Sequence, residues 1–382
     1  MTGPYDVCIR GDGIVGRTLA LHLAAKRLRV ALVAQPGPAP AHSDVRAYAL
    51  SPASRQLLQA VRCWPDASSA TPVTAMQVQS DDDAHQQVQF QIPPGGAEAL
   101  NWIVDVPSLE RLLADALRFQ PLIALHDTAP PATLLAVCEG RMSSTRQALG
   151  VEFDVTTYNQ WALAGRVRCE RPHQQVARQW FCQGNVVALL PMEGANGTLC
   201  ALVWSLAPEQ AAHWQAASAD AFCGALFEAT HGSLGDLSLE GERKVWPLQA
   251  AQAQRWSGTQ AHEDGSPQSW VLLGDAAHTV HPLAGQGLNL GLGDVAKLVA
   301  TLDQRPYWRN VGDPKLLRAY ERARKAEFAL VGGSGDSLQR IFSQTHPAWQ
   351  AVRRFGMHAF DRSPVKPWVT RRAMGAAPDA PR

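Results

Sequence analysis

The chain has 382 residues, 46% of them hydrophobic and 18% charged, with a formal net charge of +1. That is long enough for two domains, or for one large domain carrying an inserted second one. The near-neutral balance argues against a nucleic-acid partner, and no apolar run approaches the roughly 20 residues needed to cross a bilayer.

No basic segment followed by a hydrophobic run opens the chain, so no secretory signal is expected. The seven cysteines are scattered singly, without a CxxC pair. This points to reduced thiols in a cytoplasmic protein rather than to a disulfide framework or a zinc site. There is no HExxH among the twelve histidines, and no metal is expected.

In chain order, Asp6–Arg10 predicts a short strand that runs into Gly11-Asp12-Gly13-Ile14-Val15-Gly16. A helix follows, with Val15, Leu19 and Leu23 on one face, and then a second strand, Val30–Val33. A GxGxxG placed between strand and helix is the dinucleotide-binding fingerprint. Its glycines allow the tight turn, the approach of a pyrophosphate and close helix–strand packing. The ribose-binding acid expected at the end of the second strand is absent, and Ala34 and Gln35 stand there.

Ser51 with Pro52 predicts a capped helix through about Val61, with Arg46 shortly before it. From Thr74 the pattern turns to β, with Met76/Val78 and Val88/Phe90/Ile92 alternating around the acidic turn Asp81–Asp83. A helix is expected near Pro107, burying Leu109, Leu112, Leu113 and Leu117. Short strands follow at 122–125 and 134–137. Residues 151–206 are strand-rich, helices are expected at 208–217 and 218–229, and further strands near 237–239 and 245–248. This arrangement predicts an antiparallel sheet inserted between parts of a nucleotide-binding domain. Long helices are expected over 288–303 and 314–342.

The densest chemistry lies in Trp270–Asp294. An apolar strand breaks at Gly274-Asp275, passes through a loop with His278, His281, Pro282, Gly285 and Gly287, and becomes a helix near Leu288. A glycine loop feeding a helix N-terminus lets backbone approach a ligand and points the first N–H groups at it, with the positive end of the dipole.

Together these pieces resemble the class A flavin-dependent aromatic monooxygenases, most closely the hydroxylase family of ubiquinone biosynthesis. The likeness rests on GDAAHTVHPLAGQGLNLGLGD (274–294), RAYALSPAS (46–54), YNQWA (158–162), KVWPL (244–248) and LRAYERARK (317–325). It implies an α/β (α+β two-domain) fold: a Rossmann-like FAD-binding domain with an inserted antiparallel β-sheet substrate domain and C-terminal helices. The FAD-binding part is expected at 1–73, 101–150 and 265–382, and the substrate part at 74–100 and 151–264.

The resemblance implies FAD as cofactor and NAD(P)H as co-substrate. Gly11, Gly13 and Gly16 would hold the pyrophosphate, and Arg46 would contact the cofactor. Gly274 and Asp275 would serve the ribityl or phosphate region. Gly285, Gln286, Gly287, Leu288 and Asn289 would present backbone N–H groups to the pyrimidine side, where they stabilise negative charge on the reduced ring. Glu139, Gly140 and Arg146 match a motif linked to both FAD and NAD(P)H. Pro282 would lie at the reactive edge of the ring, with His281 the nearest side chain for acid–base work.

The expected reaction is O₂-dependent hydroxylation of a phenolic ring, the substrate being an aromatic molecule of the polyprenylated ubiquinone-precursor kind. The basic and aromatic residues of 353–372 fit either a docking helix with a solvated face or peripheral contact with the inner membrane, and other quinone-pathway proteins are candidate partners. Three departures set the family pattern aside: Ala34 for the ribose acid, Glu139 for an aspartate, and Pro107 for a cofactor-facing arginine. They motivate a second reading, a non-catalytic accessory or quinone-precursor-binding relative.

Overall fold

The structure, a computed structural model, describes residues 5–34, 44–79, 87–92, 98–182, 184–261, 267–280 and 286–343. β1 (Tyr5–Arg10), α1 (Ile14–Ala25) and β2 (Val30–Val33) form the opening βαβ unit. On β1, Val7 and Ile9 join one core cluster and Cys8 joins another. The strand is buried on both faces, as a parallel sheet under two helical layers requires.

β3 (Ala47–Leu50) leads into α2 (Pro52–Ala60), whose Ser51 cap accepts from the Ser54 N–H. Then come β4 (Ala70–Val73), β5 (Ala75–Gln79), β6 (Gln87–Gln91) and β7 (Asn101–Asp105). The short sequences of β3 (AYAL), β4 (ATPV) and β7 (NWIVD) carry little apolar–polar alternation, which hides them from pattern reading. In the structure they form their own three-stranded sheet.

α3 (Val106–Arg118) is capped by Asp105, which accepts from the Ser108 N–H at 3.1 Å, with Pro107 in the first turn. Leu109, Leu113 and Leu117 are buried on it, but Leu112 is 36% exposed, so the buried stripe is narrower than the sequence pattern implies. β8 (Ile123–His126), β9 (Ala132–Val137) and the short α4 (Ser144–Ala148) follow.

The long β10 (Phe153–Cys169) precedes β11 (Val176–Cys182), β12 (Asn185–Pro191) and β13 (Leu199–Leu206). After them come α5 (Pro208–Ala216), α6 (Ala219–Ala229) and the equally long β14 (Leu237–Ala253). The two short strands expected near 237 and 245 are one, continuous through Gly241 (φ +77°), with register shifts against β10. β15 (Ser257–Ala261), β16 (Pro267–Leu272), β17 (His278–Thr279), α7 (Gly287–Asp303) and α8 (Pro314–Ser343) complete the described chain.

Two larger sheets organise these elements. The first runs β15-β16-β9-β1-β2-β8 and is parallel except for β15. The second runs β17-β14-β10-β13-β12-β11-β5-β6 and is mostly antiparallel, with β5 parallel to β11. The chain therefore leaves the large sheet at Ala253 and has rejoined the parallel sheet by Ser257.

Side-chain size divides the large sheet's two faces. Leu163, Val167, Trp180, Val187, Leu189, Leu202 and Trp204 pack with Phe222 and Leu226 of α6. The alternate positions of the same strands carry Ala162, Ala164, Ala177, Ala188 and Ala201. One face is a core, and the other leaves space.

Candidate functional site: a dinucleotide cleft and an alanine-lined cavity

In the parallel sheet β1, β9 and β16 are neighbours. Ligands in open α/β sheets bind beyond the carboxyl ends of strands, where the order reverses. Here β2 lies on one side of β1 and β9 on the other, so the crevice falls at β1, β9 and β16. The three predicted motifs, Gly11–Gly16, Glu139-Gly140 and Gly274-Asp275, each begin within two residues of one of those three strand ends.

The glycines differ in what they tolerate. Gly11 sits at φ +105°, and a Cβ there would lie 2.4 Å from the Cys138 carbonyl oxygen. A Cβ on Gly16 would lie 1.9 Å from the Gly11 carbonyl oxygen. These two positions weld turn, helix and β9 together. A Cβ on Gly13, by contrast, would meet nothing within 4 Å. Gly13 is also the N-cap of α1 and provides no side-chain cap. Its open side is a space beside helix N–H groups with no intrahelical acceptor, the arrangement that accepts phosphate.

α7 repeats the device. Gln286 is its N-cap without a side-chain hydrogen bond, and a Cβ on Gly287 would meet nothing within 4 Å. Gly274 (φ +59°) and Gly291 close on the Val15 side chain, which a Gly291 Cβ would meet at 2.9 Å. This close packing of α1 against α7 brings the two helix N-termini toward one cleft. Leu288 is half-buried against the core there. The Asn289 carboxamide is a brace: its Oδ1 accepts from the Ser51 N–H at 2.9 Å and the Ser54 hydroxyl at 2.7 Å, and its Nδ2 donates to Ala49 at 2.8 Å.

Asp275 keeps solvent contact although protein crowds it on nearly every side, the position of a group on the wall of a deep cleft. Burial lifts its carboxyl above the usual range, opposed by nearby His278, Arg141 and Arg46. Arg46 is held by Asp44 through both carboxylate oxygens, at 2.9 Å from its Nε, and this raises its already high pKa further.

Glu139 and Arg146 do something else. The buried Glu139 carboxylate accepts from the Ser143 hydroxyl, the Thr145 N–H and the Thr145 hydroxyl at 2.7–2.9 Å, and from Arg10 Nε at 3.0 Å. Burial works against its ionisation, but these bonds outweigh it and hold the carboxyl low. The carboxylate braces the Ser143 cap and takes the Thr145 N–H in the first turn of α4. Arg146 stacks 3.6 Å from the Phe153 ring centroid and donates to Ala276 at 3.1 Å and Arg141 at 2.9 Å. It ties α4 to the turn that presents Asp275. Both side chains are engaged within the protein, Glu139 at the start of α4 and Arg146 at the turn that presents Asp275. The Ala34 N–H donates to His126 at 3.3 Å. His281, Pro282 and Gly285 lie outside the described residues.

A buried charge network went unnoticed in the sequence. Asp294, with no exposed surface, accepts from the Gly274 N–H at 2.8 Å, His278 Nε2 at 2.7 Å and Arg324 Nε at 2.6 Å. Arg324 also donates to Leu290 at 3.0 Å and pairs with Glu327. His278 is further sandwiched by Trp256 and Phe328, centroids 4.7 and 5.1 Å away. The signal was available: Asp294 falls on the apolar stripe Leu290–Asp294–Leu298, and Arg324 continues Leu317–Tyr320.

Beside the cleft, between β3/β7 and the alanine face of the large sheet, lies an apolar cavity of about 170 Å³. Arg46, Tyr48 and Ala49 line its cleft end.

A two-domain α/β architecture with twin helix N-termini, a glycine-lined cleft and an adjoining apolar cavity defines a flavin-nucleotide oxidoreductase. The residues fit FAD: open glycine cradles for the pyrophosphate and a helix N-terminus for the anionic ring. The family model of the FAD binding domain matches residues 125–331, more than half of the chain. The chain belongs to that family. It is an FAD-dependent monooxygenase in class, with NAD(P)H as co-substrate.

Among curated relatives it is 28% identical to the ubiquinone hydroxylase UbiL of Rhodospirillum rubrum, over 99% of this chain and 92% of that one. It is equally 28% identical to the 3-demethoxyubiquinol 3-hydroxylase of Escherichia coli, over 95% and 96%. Among solved structures, PqsL of P. aeruginosa in complex with 2-aminobenzoylacetate aligns with TM-score 0.71 at 20% identity, covering 94% of this chain and 100% of that one. The p-nitrophenol 4-monooxygenase PnpA of Pseudomonas putida aligns with TM-score 0.72 at 16%, covering 98% and 97%. These two likenesses concern the fold.

Proposed function

We propose that the protein hydroxylates the phenolic ring of a polyprenylated quinone precursor. The observation that carries this reading is the alanine-lined cavity opening onto the flavin cleft at β3, in a chain whose curated relatives include a ubiquinone hydroxylase and a 3-demethoxyubiquinol 3-hydroxylase. FAD, when bound, supplies electron transfer from NAD(P)H and activation of O₂.

The chain's own tasks are binding, orientation and exclusion of water. Gly11, Gly13 and Gly16 make room for the pyrophosphate, while Gly140 (φ +74°, open on its Cβ side) does the same at the end of β9. The α7 N-terminus, with Gln286, Gly287, Leu288 and Asn289, is assigned to stabilise negative charge on the ring. Asp275 is assigned to the ribityl side. Pro282 and His281 are assigned to the ring edge. The apolar walls keep water from the reacting centre.

We assign residues 1–73, 101–150 and 265–382 to FAD binding and 74–100 and 151–264 to substrate binding. No helix among the described residues is long and apolar enough to cross a membrane. A prenylated substrate would be met at the membrane surface, and the basic-aromatic stretch at 353–372, outside the described residues, is assigned to that contact, with quinone-pathway proteins as further partners.

The test is titration of purified protein with FAD followed by NAD(P)H oxidation with and without a 2-prenylphenol. One FAD per chain and phenol-stimulated oxidation are expected. Tight phenol binding without oxidation would support the accessory reading instead.

A further inference from the structure

The cavity wall has a polar group that the fold leaves unsatisfied. Asn101 opens β7, and its buried Oδ1 has no hydrogen-bond partner. Among the described residues, no group holds this oxygen. A native structure seldom leaves such an atom alone, because it costs the desolvation without the bond. Across the cavity, Gln179 and Ser205 project from the sheet's alanine face.

Asn101 and Ile103 lie on one face of β7, and Ala177 and Gln179 on one face of β11; Ile103 and Ala177 belong to one packed cluster, and all four line the cavity. Leu50 pairs with Trp102, so Asn101 neighbours Ser51, the residue held by Asn289 at the start of α7. Asn101 thus stands at the end of the cavity nearest the α7 N-terminus, the far end of the β3/β7 ribbon from Arg46.

The cavity's charges are already engaged. Arg46 is clamped by Asp44. Arg178 belongs to the opposite face, where it donates to the His173 carbonyl at 3.0 Å and lies near Cys169 and Cys200. Arg178 is turned to the opposite face and Arg46 is already paired with Asp44, so a carboxylate taken into this apolar slot would find no unpaired cation among the described lining residues.

We propose that Asn101 is the residue that positions the substrate: its carboxamide hydrogen-bonds a ring hydroxyl of a neutral arene held in the alanine slot, and the slot rejects carboxylated rings. This rests on the hydroxylase reading and adds the residue that orients the ring.

The experiment uses FAD-loaded protein and calorimetric titration with 2-allylphenol, allylbenzene and 3-allyl-4-hydroxybenzoate. Wild type should bind 2-allylphenol at least about tenfold tighter than the benzoate. N101L, with the same heavy-atom branching but no polar atom, should weaken 2-allylphenol by about fivefold to tenfold, one hydrogen bond's worth, and leave allylbenzene within about twofold. N101S, smaller but polar, should fall between. In turnover, N101L should raise the fraction of NAD(P)H consumed without hydroxylated product.

Equal loss for 2-allylphenol and allylbenzene, or wild-type phenol affinity in both variants, would overturn the assignment of Asn101. Benzoate binding as tight as the phenol would overturn the neutral-ring part. Selective phenol binding with no stimulated NAD(P)H oxidation would uphold Asn101 as a binding residue while refuting the hydroxylase reading.

Discussion

Asp294 is the residue whose removal should be felt most widely, because one carboxylate fixes three elements. It holds the Gly274 N–H, His278 and Arg324, so it joins the Asp275 turn, α7 and α8. In D294N the shape is kept and the charge is lost. Arg324, only 3% exposed on its side chain, is left with Glu327 and a backbone carbonyl.

Removing one partner of a buried pair costs about 3–5 kcal/mol, and Glu327 places this case near the lower end. A loss of about 3 kcal/mol in a chain this long lowers Tm by roughly 3–6 °C. Replacing both partners with apolar residues in D294L/R324M should recover part of that loss, since the charge left behind, rather than the absent bond, is the larger cost.

The pH dependence follows from the direction of the shift. Burial opposes ionisation of Asp294, but His278 and Arg324 outweigh it and hold the carboxyl below its ordinary 3.8. The folded state therefore binds fewer protons than the unfolded state. The stability Asp294 contributes is complete above the unfolded pKa and is lost as pH falls through the folded one. Thermal unfolding from pH 7 down to pH 3 should show D294N losing less than wild type on acidification. A variant that melts with wild type at pH 7, or acid profiles that run parallel, would refute this reasoning.

Other substitutions separate scaffold from ligand contact. G13A adds a methyl to open space, so the apo protein should melt within about 1 °C of wild type while its FAD affinity, read by flavin fluorescence, falls about tenfold or more. G16A drives a methyl into the Gly11 carbonyl and should lose folded yield itself. D275N, a change on the solvent-exposed wall of the cleft, should bind FAD more weakly while shifting urea unfolding of the apo protein little. R146K keeps the charge but cannot reproduce the stacking on Phe153 together with both carbonyl bonds. It should lower Tm and slow FAD association, both measurable with purified protein.

The cofactor cleft was legible because its requirements are local. A strand, a glycine turn and a helix start follow directly on one another at Gly11, and a strand ending at Leu272 reaches the helix start at Gly287 through a glycine-bearing loop at Gly274, and glycine marks places where a side chain would collide or block a ligand. The supports were less legible because they act across the fold. Glu139 reads as a weakened cofactor residue until its carboxylate is seen capping α4. Arg146 reads as a ligand until it is seen behind the Asp275 turn.

The cavity was hidden for a different reason. Alanines at alternate positions of β10, β12 and β13 look like filler. Only the pairing of four strands shows that they share a face, and that the large side chains between them share the other. β3, β4 and β7 escaped because β propensity is a matter of what a strand packs on, not of its backbone alone.

The central claim, that this cleft and cavity hydroxylate a neutral phenolic ring, is tested most directly by following the oxygen atom. FAD-loaded protein would be incubated with NAD(P)H, a 2-prenylphenol and isotopically labelled O₂, and the product analysed by mass spectrometry. The account predicts one labelled oxygen on the ring for each NAD(P)H consumed. Unchanged phenol, with all the consumed oxygen recovered as hydrogen peroxide, would contradict it.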